Sequence, residues 1–220
     1  MKEKDSIYYN KVYSREGSPY LGAPKDLEVY YEVWLRAAKI ICSYKNIEGA
    51  IKIIDIGCGP GHFPKVLDQE GFFKKKLKNL YFGYDFSSKA ISMARSLNDS
   101  SGATFFERDV VANENAFHEA LDDDGGKIVY CSFEFLEHVE SDLLVLSRLE
   151  KGSKILASVP SFDSAGHVRF FKNLEEVSHR YSTFISFDDI KEHEYISKIY
   201  DTKTRQRVKH KLYLMVGTVI

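Results

Sequence analysis

The residues Ile51-Lys-Ile-Ile-Asp-Ile-Gly-Cys-Gly-Pro-Gly-His-Phe63 decide the fold of this chain of 220 residues. The isoleucines between Ile51 and Ile56 form an apolar, β-branched run, which is typical of a strand buried on both faces. Three glycines follow at once, and residues 63–70 predict a helix. A strand, a glycine-rich turn and a helix in this order bring bare backbone close to a ligand, where a side chain would collide.

The spacing of the glycines distinguishes between two classes of ligand. The dinucleotide fingerprint G-x-G-x-x-G requires a glycine at the position occupied here by His62. The pattern D-x-G-x-G-x-G, formed by Asp55, Gly57, Gly59 and Gly61, instead resembles the first motif of class I S-adenosylmethionine-dependent methyltransferases. The resemblance implies a Rossmann-like α/β fold. Its seven-stranded, mostly parallel sheet carries helices on both faces and ends in a C-terminal antiparallel hairpin.

Two further acidic residues stand at predicted strand ends. The second strand, residues 79–85, ends in Asp85, and a carboxylate there can accept hydrogen bonds from both hydroxyls of a ribose. The third strand, residues 103–109, ends in Asp109, which the resemblance places near adenine; an equally open alternative is that it caps a turn. The resemblance therefore implies that S-adenosylmethionine is held by Asp55, Gly57, Cys58, Gly59, Gly61, Asp85, Phe86, Asp109, Val110 and Phe133.

The remaining elements follow from hydrophobic periodicity. An apolar face at three- and four-residue spacing predicts a helix over residues 26–43, with Pro24 and Asp26 as start signals. Residues 161–182 are expected to form a long irregular connection at the substrate edge of the sheet. We further expect helices over 88–97 and 142–149 and strands over 127–131, 155–159, 195–200 and 211–219.

The segment after the fourth strand holds the first set of candidate catalytic residues. Glu134, Glu137 and His138 form an E-x-x-E-H pattern that resembles the corresponding segment of quinone-biosynthesis O-methyltransferases and small-RNA 2′-O-methyltransferases. On a helical turn these side chains share one face, so they could bind Mg²⁺ or Mn²⁺. The fourth ligand would be His179, with His167 as the alternative. Equally, His138 could serve as a base in a site without metal.

Residues 166–171, Gly-His-Val-Arg-Phe-Phe, form the second set. They resemble a segment after the fifth strand in methyltransferases of bacterial surface-polysaccharide and natural-product glycosylation pathways. His167 can accept a hydroxyl proton near neutral pH, and Arg169 can bind a phosphate or carboxylate. Alternatively, or at the same time, Arg169 pairs with an acidic neighbour and anchors the loop.

Composition limits the classes of partner. The formal net charge of −1 gives no support for nucleic-acid binding, and we interpret the cluster Lys74, Lys75, Lys76 and Lys78 as a solvated helix end. The three cysteines match no zinc spacing, and no apolar run reaches membrane-spanning length. These features predict a cytoplasmic protein without a membrane partner.

We expect one methyltransferase domain over residues 26–220, preceded by a tyrosine-rich segment over residues 1–25. That segment would be either a lid over the cofactor and substrate or a contact within a homodimer. The leading hypothesis is O-methylation of a small polar substrate, such as a sugar or a phosphorylated or nucleotide-linked glycan precursor. The alternatives are a metal-dependent RNA 2′-O-methyltransferase and a non-catalytic partner subunit with the same fold.

Overall fold

The protein is described by a computed structural model that covers residues 2–48, 50–73, 80–99, 101–122, 126–200 and 207–220. The strands are β1 (Ile51–Ile56), β2 (Leu80–Asp85), β3 (Ala103–Glu107), β4 (Lys127–Phe133), β5 (Lys154–Pro160), β6 (Ile185–Tyr200) and β7 (Arg207–Val219). The α-helices are α1 (Ser6–Ser14), α2 (Glu28–Glu48), α3 (His62–Gln69), α4 (Ser88–Leu97), α5 (His118–Leu121), α6 (Asp142–Ser147) and α7 (Leu174–Tyr181).

The strands form one sheet in the order β3-β2-β1-β4-β5-β7-β6. The first five strands are parallel, whereas β7 runs antiparallel to both β5 and β6. The predicted fold class, with its C-terminal antiparallel hairpin, is confirmed. The strand order reverses between β1 and β4, so the crevice at their carboxyl ends is where such a sheet places a ligand.

Both faces of the sheet are covered. Along β1, Ile51 and Ile53 pack with residues of α2, α3 and α4, whereas Ile54 and Ile56 pack with residues of α5, α6 and α7. Because successive side chains of a strand point to opposite faces, the apolar run from Ile51 to Ile56 supplies both cores. The sheet is thereby held rigid at the edge where the glycine turn begins.

Several predicted boundaries were wrong, including the start of β7, which lies at Arg207 and not at 211, and the end of α2, which lies at Glu48 and not at 43. β6 begins at residue 185 and not at 195. The prediction missed the first half because this is an edge strand in which charged residues alternate with apolar ones and hide the apolar face. α7 lies within residues 161–182, which were expected to be irregular. α2 begins at Glu28, because Pro24–Asp26 form a separate 3-10 turn in which Asp26 accepts a hydrogen bond from the Ala23 backbone amide.

The N-terminal helix α1 was not predicted. Asp5 caps it by accepting a hydrogen bond of 2.9 Å from the Tyr8 amide, but none of its residues is fully buried. Its sequence shows no clear apolar stripe because the helix packs on the surface against α4 and contributes no residue to the buried core. The predicted lysine cluster at 74–78 and residues 201–206 lie outside the described residues.

Candidate functional site

A cavity of about 360 Å³ lies at the carboxyl ends of the parallel strands. It is lined by the turn after β1, the ends of β2 and β4, the loop after β3, and the N-terminal helix α1. Of the residues predicted to hold the cofactor, the structure brings together Asp55, Gly57, Cys58, Gly59, Asp85, Phe86, Asp109, Val110 and Phe133 along its wall. Gly61 is not part of the lining.

The three glycines of the turn have different roles. All three have positive φ, at 73°, 51° and 76° for Gly57, Gly59 and Gly61. A Cβ on Gly57 would lie 2.4 Å from a ring carbon of Phe135, and one on Gly61 would lie 2.8 Å from the Cβ of Ala94. A Cβ on Gly59 would meet only the Tyr13 hydroxyl, at 3.4 Å. Gly57 and Gly61 therefore allow close packing, whereas Gly59 keeps bare backbone facing the cavity.

Asp85 is anchored to the glycine turn. It is buried, and its two carboxylate oxygens accept hydrogen bonds of 3.0 Å from the Gly59 amide and 2.8 Å from the Ser87 amide. Burial raises the pKa of Asp85 to about 6, and these two hydrogen bonds oppose that rise. The carboxylate is thus held at the edge of the glycine turn, where it lines the cavity.

Asp55 and Asp109 are bonded within the protein. The Tyr81 hydroxyl donates to Asp55, and burial raises the pKa of Asp55 to about 7. One oxygen of Asp109 accepts hydrogen bonds from the amides of Val111 (2.9 Å) and Ala112 (3.0 Å). Asp109 therefore caps the turn after β3, as the alternative from the sequence had it, and it also lines the cavity.

The cavity is also lined by a group formed by Glu137, His138 and His167, which we call the acid–histidine group. One ligand atom from each residue lies within 4.8 Å of the others. Glu137 is fully buried, and neither of its carboxylate oxygens has a hydrogen-bond partner among the described residues. Burial, followed by repulsion from Glu134, raises the pKa of Glu137 well above its usual range.

The two histidines of this group are fixed through Nδ1. The Nδ1 of His138 lies 3.1 Å from the carbonyl oxygen of Gly166, and the Nδ1 of His167 lies 3.1 Å from that of Phe162. Because a carbonyl oxygen only accepts, both contacts assign the proton to Nδ1 and leave Nε2 with its lone pair. Burial lowers the pKa of His138 to about 4 and also lowers that of His167, so both rings are neutral at pH 7.

The predicted metal ligands are only partly brought together. The E-x-x-E-H segment forms a non-helical turn, in which Glu134 has a positive φ of 53°. One oxygen of Glu134 accepts a hydrogen bond of 2.8 Å from the Ser158 hydroxyl, and Glu134 is not in the acid–histidine group. His179 is exposed on α7 and does not line the cavity. His167, the alternative ligand, takes its place.

Arg169 does not line the cavity either. Its guanidinium donates to the carbonyl oxygens of Leu136, Val139 (2.6 Å) and Glu140 (3.1 Å). It also lies 3.2 Å from the buried carboxylate of Asp142. These contacts match the alternative interpretation, in which Arg169 anchors the turn that carries Glu137 and His138.

The N-terminal segment supplies site residues that the sequence left unnamed. Tyr9, Tyr13 and Tyr20 line the cavity, and the Tyr9 hydroxyl lies 2.8 Å from Nδ1 of His138. Their only signal in the sequence was the density of tyrosines in a segment without periodicity. The structure places these tyrosines in the wall of the cavity.

Comparison with known proteins decides the family. The sequence model described as "Methyltransferase domain" matches residues 30–192, which is well over half of the chain. The chain belongs to this methyltransferase family. The enzyme's cofactor is S-adenosylmethionine, and the bare backbone at Gly59 beside the Asp85 carboxylate fits that group. No curated protein matches the sequence.

Solved structures share the fold of the enzyme. A SAM-dependent methyltransferase from Anabaena variabilis has a TM-score of 0.66 at 14% identity, over 100% of this chain and 98% of that one. The N-methyltransferase NodS from Bradyrhizobium japonicum, solved with S-adenosylhomocysteine, has a TM-score of 0.56 at 13% identity, over 96% and 97%. TehB from Haemophilus influenzae has a TM-score of 0.56 at 14% identity. The match covers 82% of this chain and 61% of TehB.

Among the described residues, no helix is long and apolar enough to cross a membrane.

Proposed function

We propose that the enzyme transfers a methyl group from S-adenosylmethionine to a hydroxyl of a small polar molecule, a sugar or a phosphorylated or nucleotide-linked glycan precursor. The observation that carries this proposal is the acid–histidine group. It places two neutral histidines in the same cavity as the glycine turn and Asp85, and Nε2 of His138 lies 3.8 Å from a carboxylate oxygen of Glu137.

The cofactor side of the cavity supports an assignment of roles. Gly59 and its neighbours hold the methionine part, Asp85 the two ribose hydroxyls, and the backbone at Val110 the adenine. The tyrosines of α1 line the same cavity, which supports the lid interpretation of the N-terminal segment. Gly61 contributes indirectly: because it has no Cβ, the start of α3 can pack closely against Ala94 of α4.

The acceptor side then needs only to align a hydroxyl and remove its proton. The cofactor supplies a methyl group made electrophilic by the sulfonium charge. The Nε2 of His138 or His167 accepts the hydroxyl proton, because both rings are neutral and each keeps its own proton on Nδ1. Arg169 positions the turn that carries His138 and takes no part in binding an anion.

A phosphate or nucleotide on the substrate would lie at the outer mouth. Lys4 lines the cavity and, together with Lys2, an adjoining surface hollow that also includes His167. Lys2 and Lys4 are the lysines that line this hollow, beside His167 of the acid–histidine group. This arrangement supports a substrate whose sugar enters the cavity while an anionic part remains near the surface.

A transfer assay tests the proposal. The enzyme is supplied with S-adenosylmethionine labelled in the methyl group and with panels of free sugars, sugar phosphates, nucleotide sugars and primary amines. We expect a methyl ether on a sugar hydroxyl, identified by mass spectrometry and NMR, and at least about a hundredfold slower product formation with the His138→Ala variant. Transfer to amines alone would contradict the O-methyl assignment.

The acid–histidine group also favours a second candidate, a metal-dependent form of the same reaction. A carboxylate and two imidazoles suit Mn²⁺ or a similar divalent ion, and histidine ligands usually donate their other N–H to a fixed acceptor, as both do here. A bound ion would lower the pKa of an acceptor hydroxyl. The RNA form of this candidate has no comparable support, because Lys2 and Lys4 stand beside Glu3 and Asp163 at the mouth.

Calorimetric titration with Mn²⁺ distinguishes the two candidates. If the group binds metal, we expect one site per chain, a loss of at least about tenfold in affinity for Glu137→Gln, and no change for His179→Gln. Methyl transfer would then stop in the presence of a strong chelator and return on addition of Mn²⁺. Activity that survives chelation would leave the histidine base as the mechanism.

A further inference from the structure

Two neighbouring residues of α1 make contacts in two different parts of the site. The Asn10 side chain accepts hydrogen bonds from the Ser87 hydroxyl (2.7 Å) and the Lys89 amide (3.1 Å) at the start of α4, beside Asp85. The Tyr9 hydroxyl lies 2.8 Å from Nδ1 of His138 on the acceptor side. A single turn of helix thus touches the cofactor half and the acceptor half together.

The hydroxyl of Tyr9 is held in place by its surroundings. The centroid of the Tyr9 ring lies 5.5 Å from the ring centroid of Phe86, 5.7 Å from that of His138 and 5.2 Å from that of Tyr8. Burial raises the pKa of Tyr9, so the hydroxyl stays protonated over the working range of pH. The position of its oxygen is therefore set by packing, and it remains neutral.

His138 has two acceptors around one proton. The carbonyl oxygen of Gly166 and the hydroxyl oxygen of Tyr9 lie 3.1 Å and 2.8 Å from the same Nδ1. One ring nitrogen carries at most one proton, and the carbonyl can only accept. The arrangement that satisfies both contacts places the proton on Nδ1, shared between the carbonyl oxygen and the tyrosine oxygen.

We propose that Tyr9 is a positioning residue for His138. Its hydroxyl oxygen, together with the Gly166 carbonyl, holds the imidazole in the tautomer with the proton on Nδ1, and so presents the bare Nε2 to the acceptor. Because Tyr9 belongs to the lid, His138 is fully oriented only when α1 lies across the cavity. The role assigned to Nε2 rests on the proposed function, whereas the tautomer does not.

Nitrogen-15 NMR of the imidazole rings tests the proposal without an acceptor substrate. His138 is identified by the signals lost in His138→Gln. In the unaltered protein we expect the proton of His138 on Nδ1, and in Tyr9→Phe we expect a mixture of the two tautomers. A wild-type proton on Nε2, or no change in Tyr9→Phe, would overturn the proposal. Either result would leave the methyltransferase assignment untouched, which depends on cofactor binding.

Kinetics provide the second measurement. Tyr9→Phe keeps the ring, and Asn10 still bonds to α4, so we expect unchanged affinity for S-adenosylhomocysteine and a fall of about tenfold in kcat. The matched control is Ile7→Ala on the same helix, where the side chain is 61% exposed and no change is expected. A loss of cofactor affinity equal to the loss of kcat would show that Tyr9 acts only by holding the lid, against the proposal.

Discussion

Replacing Asp85 by alanine is expected to weaken binding of S-adenosylhomocysteine by at least about a hundredfold. A carboxylate at this position accepts hydrogen bonds from both ribose hydroxyls, and hydrogen bonds to a charged group contribute about 1.5 to 3 kcal/mol each. Each loss of 1.4 kcal/mol lowers an affinity about tenfold. The variant also removes the hydrogen bonds to Gly59 and Ser87 that hold the glycine turn. Calorimetric titration measures the effect.

The matched control is Glu107→Ala. Glu107 is the register partner of Asp85 on the neighbouring strand β3, but it is exposed and does not line the cavity. We expect this variant to bind the ligand normally. Circular dichroism and thermal unfolding establish that Asp85→Ala is folded. If folded Asp85→Ala binds with the wild-type affinity, Asp85 does not contact the ribose.

The pH dependence of binding adds a second check on Asp85. Burial raises the pKa of this carboxyl to about 6 in the protein without ligand, while ribose hydroxyls favour the ionised form. Affinity is therefore retained above pH 6 and is lost as the pH falls below it. In Asp85→Asn this dependence should disappear, which separates Asp85 from Asp55, whose pKa is raised to about 7 in the same cavity.

The second large effect is expected for His138→Ala. Removal of a general base lowers kcat by about a hundredfold to ten-thousandfold. Affinity for S-adenosylhomocysteine should not change, because His138 lies on the acceptor side and is not among the residues that we assign to the cofactor. Single-turnover transfer of the labelled methyl group, combined with calorimetry of the cofactor product, measures the two quantities separately.

Two further variants test which histidine is the base. His179→Ala should leave kcat unchanged, since His179 is exposed on α7 and outside the cavity. His167→Ala tests whether the neighbouring ring shares the role, because the two ring centroids are only 4.8 Å apart. If His138→Ala retains full activity and His167→Ala does not, the base is His167. If both variants remain fully active, the acid–histidine group does not activate the acceptor.

The fold follows from local features that the sequence carries openly. The β-branched run of β1, the three glycines after it and the acidic end of β2 lie within 35 residues, and each reflects a local physical constraint. The predictions missed the ends of elements whose position depends on tertiary contacts and not on a local hydrophobic pattern. The first half of β6 is an edge strand with a charged face, and α1 packs on the surface against α4, so neither shows a clear apolar period.

The sequence by itself determined which residues meet at the edge of the sheet that we assign to the cofactor, because these residues follow parallel strands whose carboxyl ends must lie at one edge. Only the tertiary structure decided the acceptor side. Arg169 binds the carbonyl oxygens of a turn some 30 residues away in sequence, which the side chain alone does not reveal. His167, and not His179, joins Glu137 and His138 because of how the loop after β5 packs against the sheet. The contact between Tyr9 and His138 likewise depends on where the N-terminal segment packs. Such contacts are long-range and have no sequence period, so they emerge only when the chain is folded.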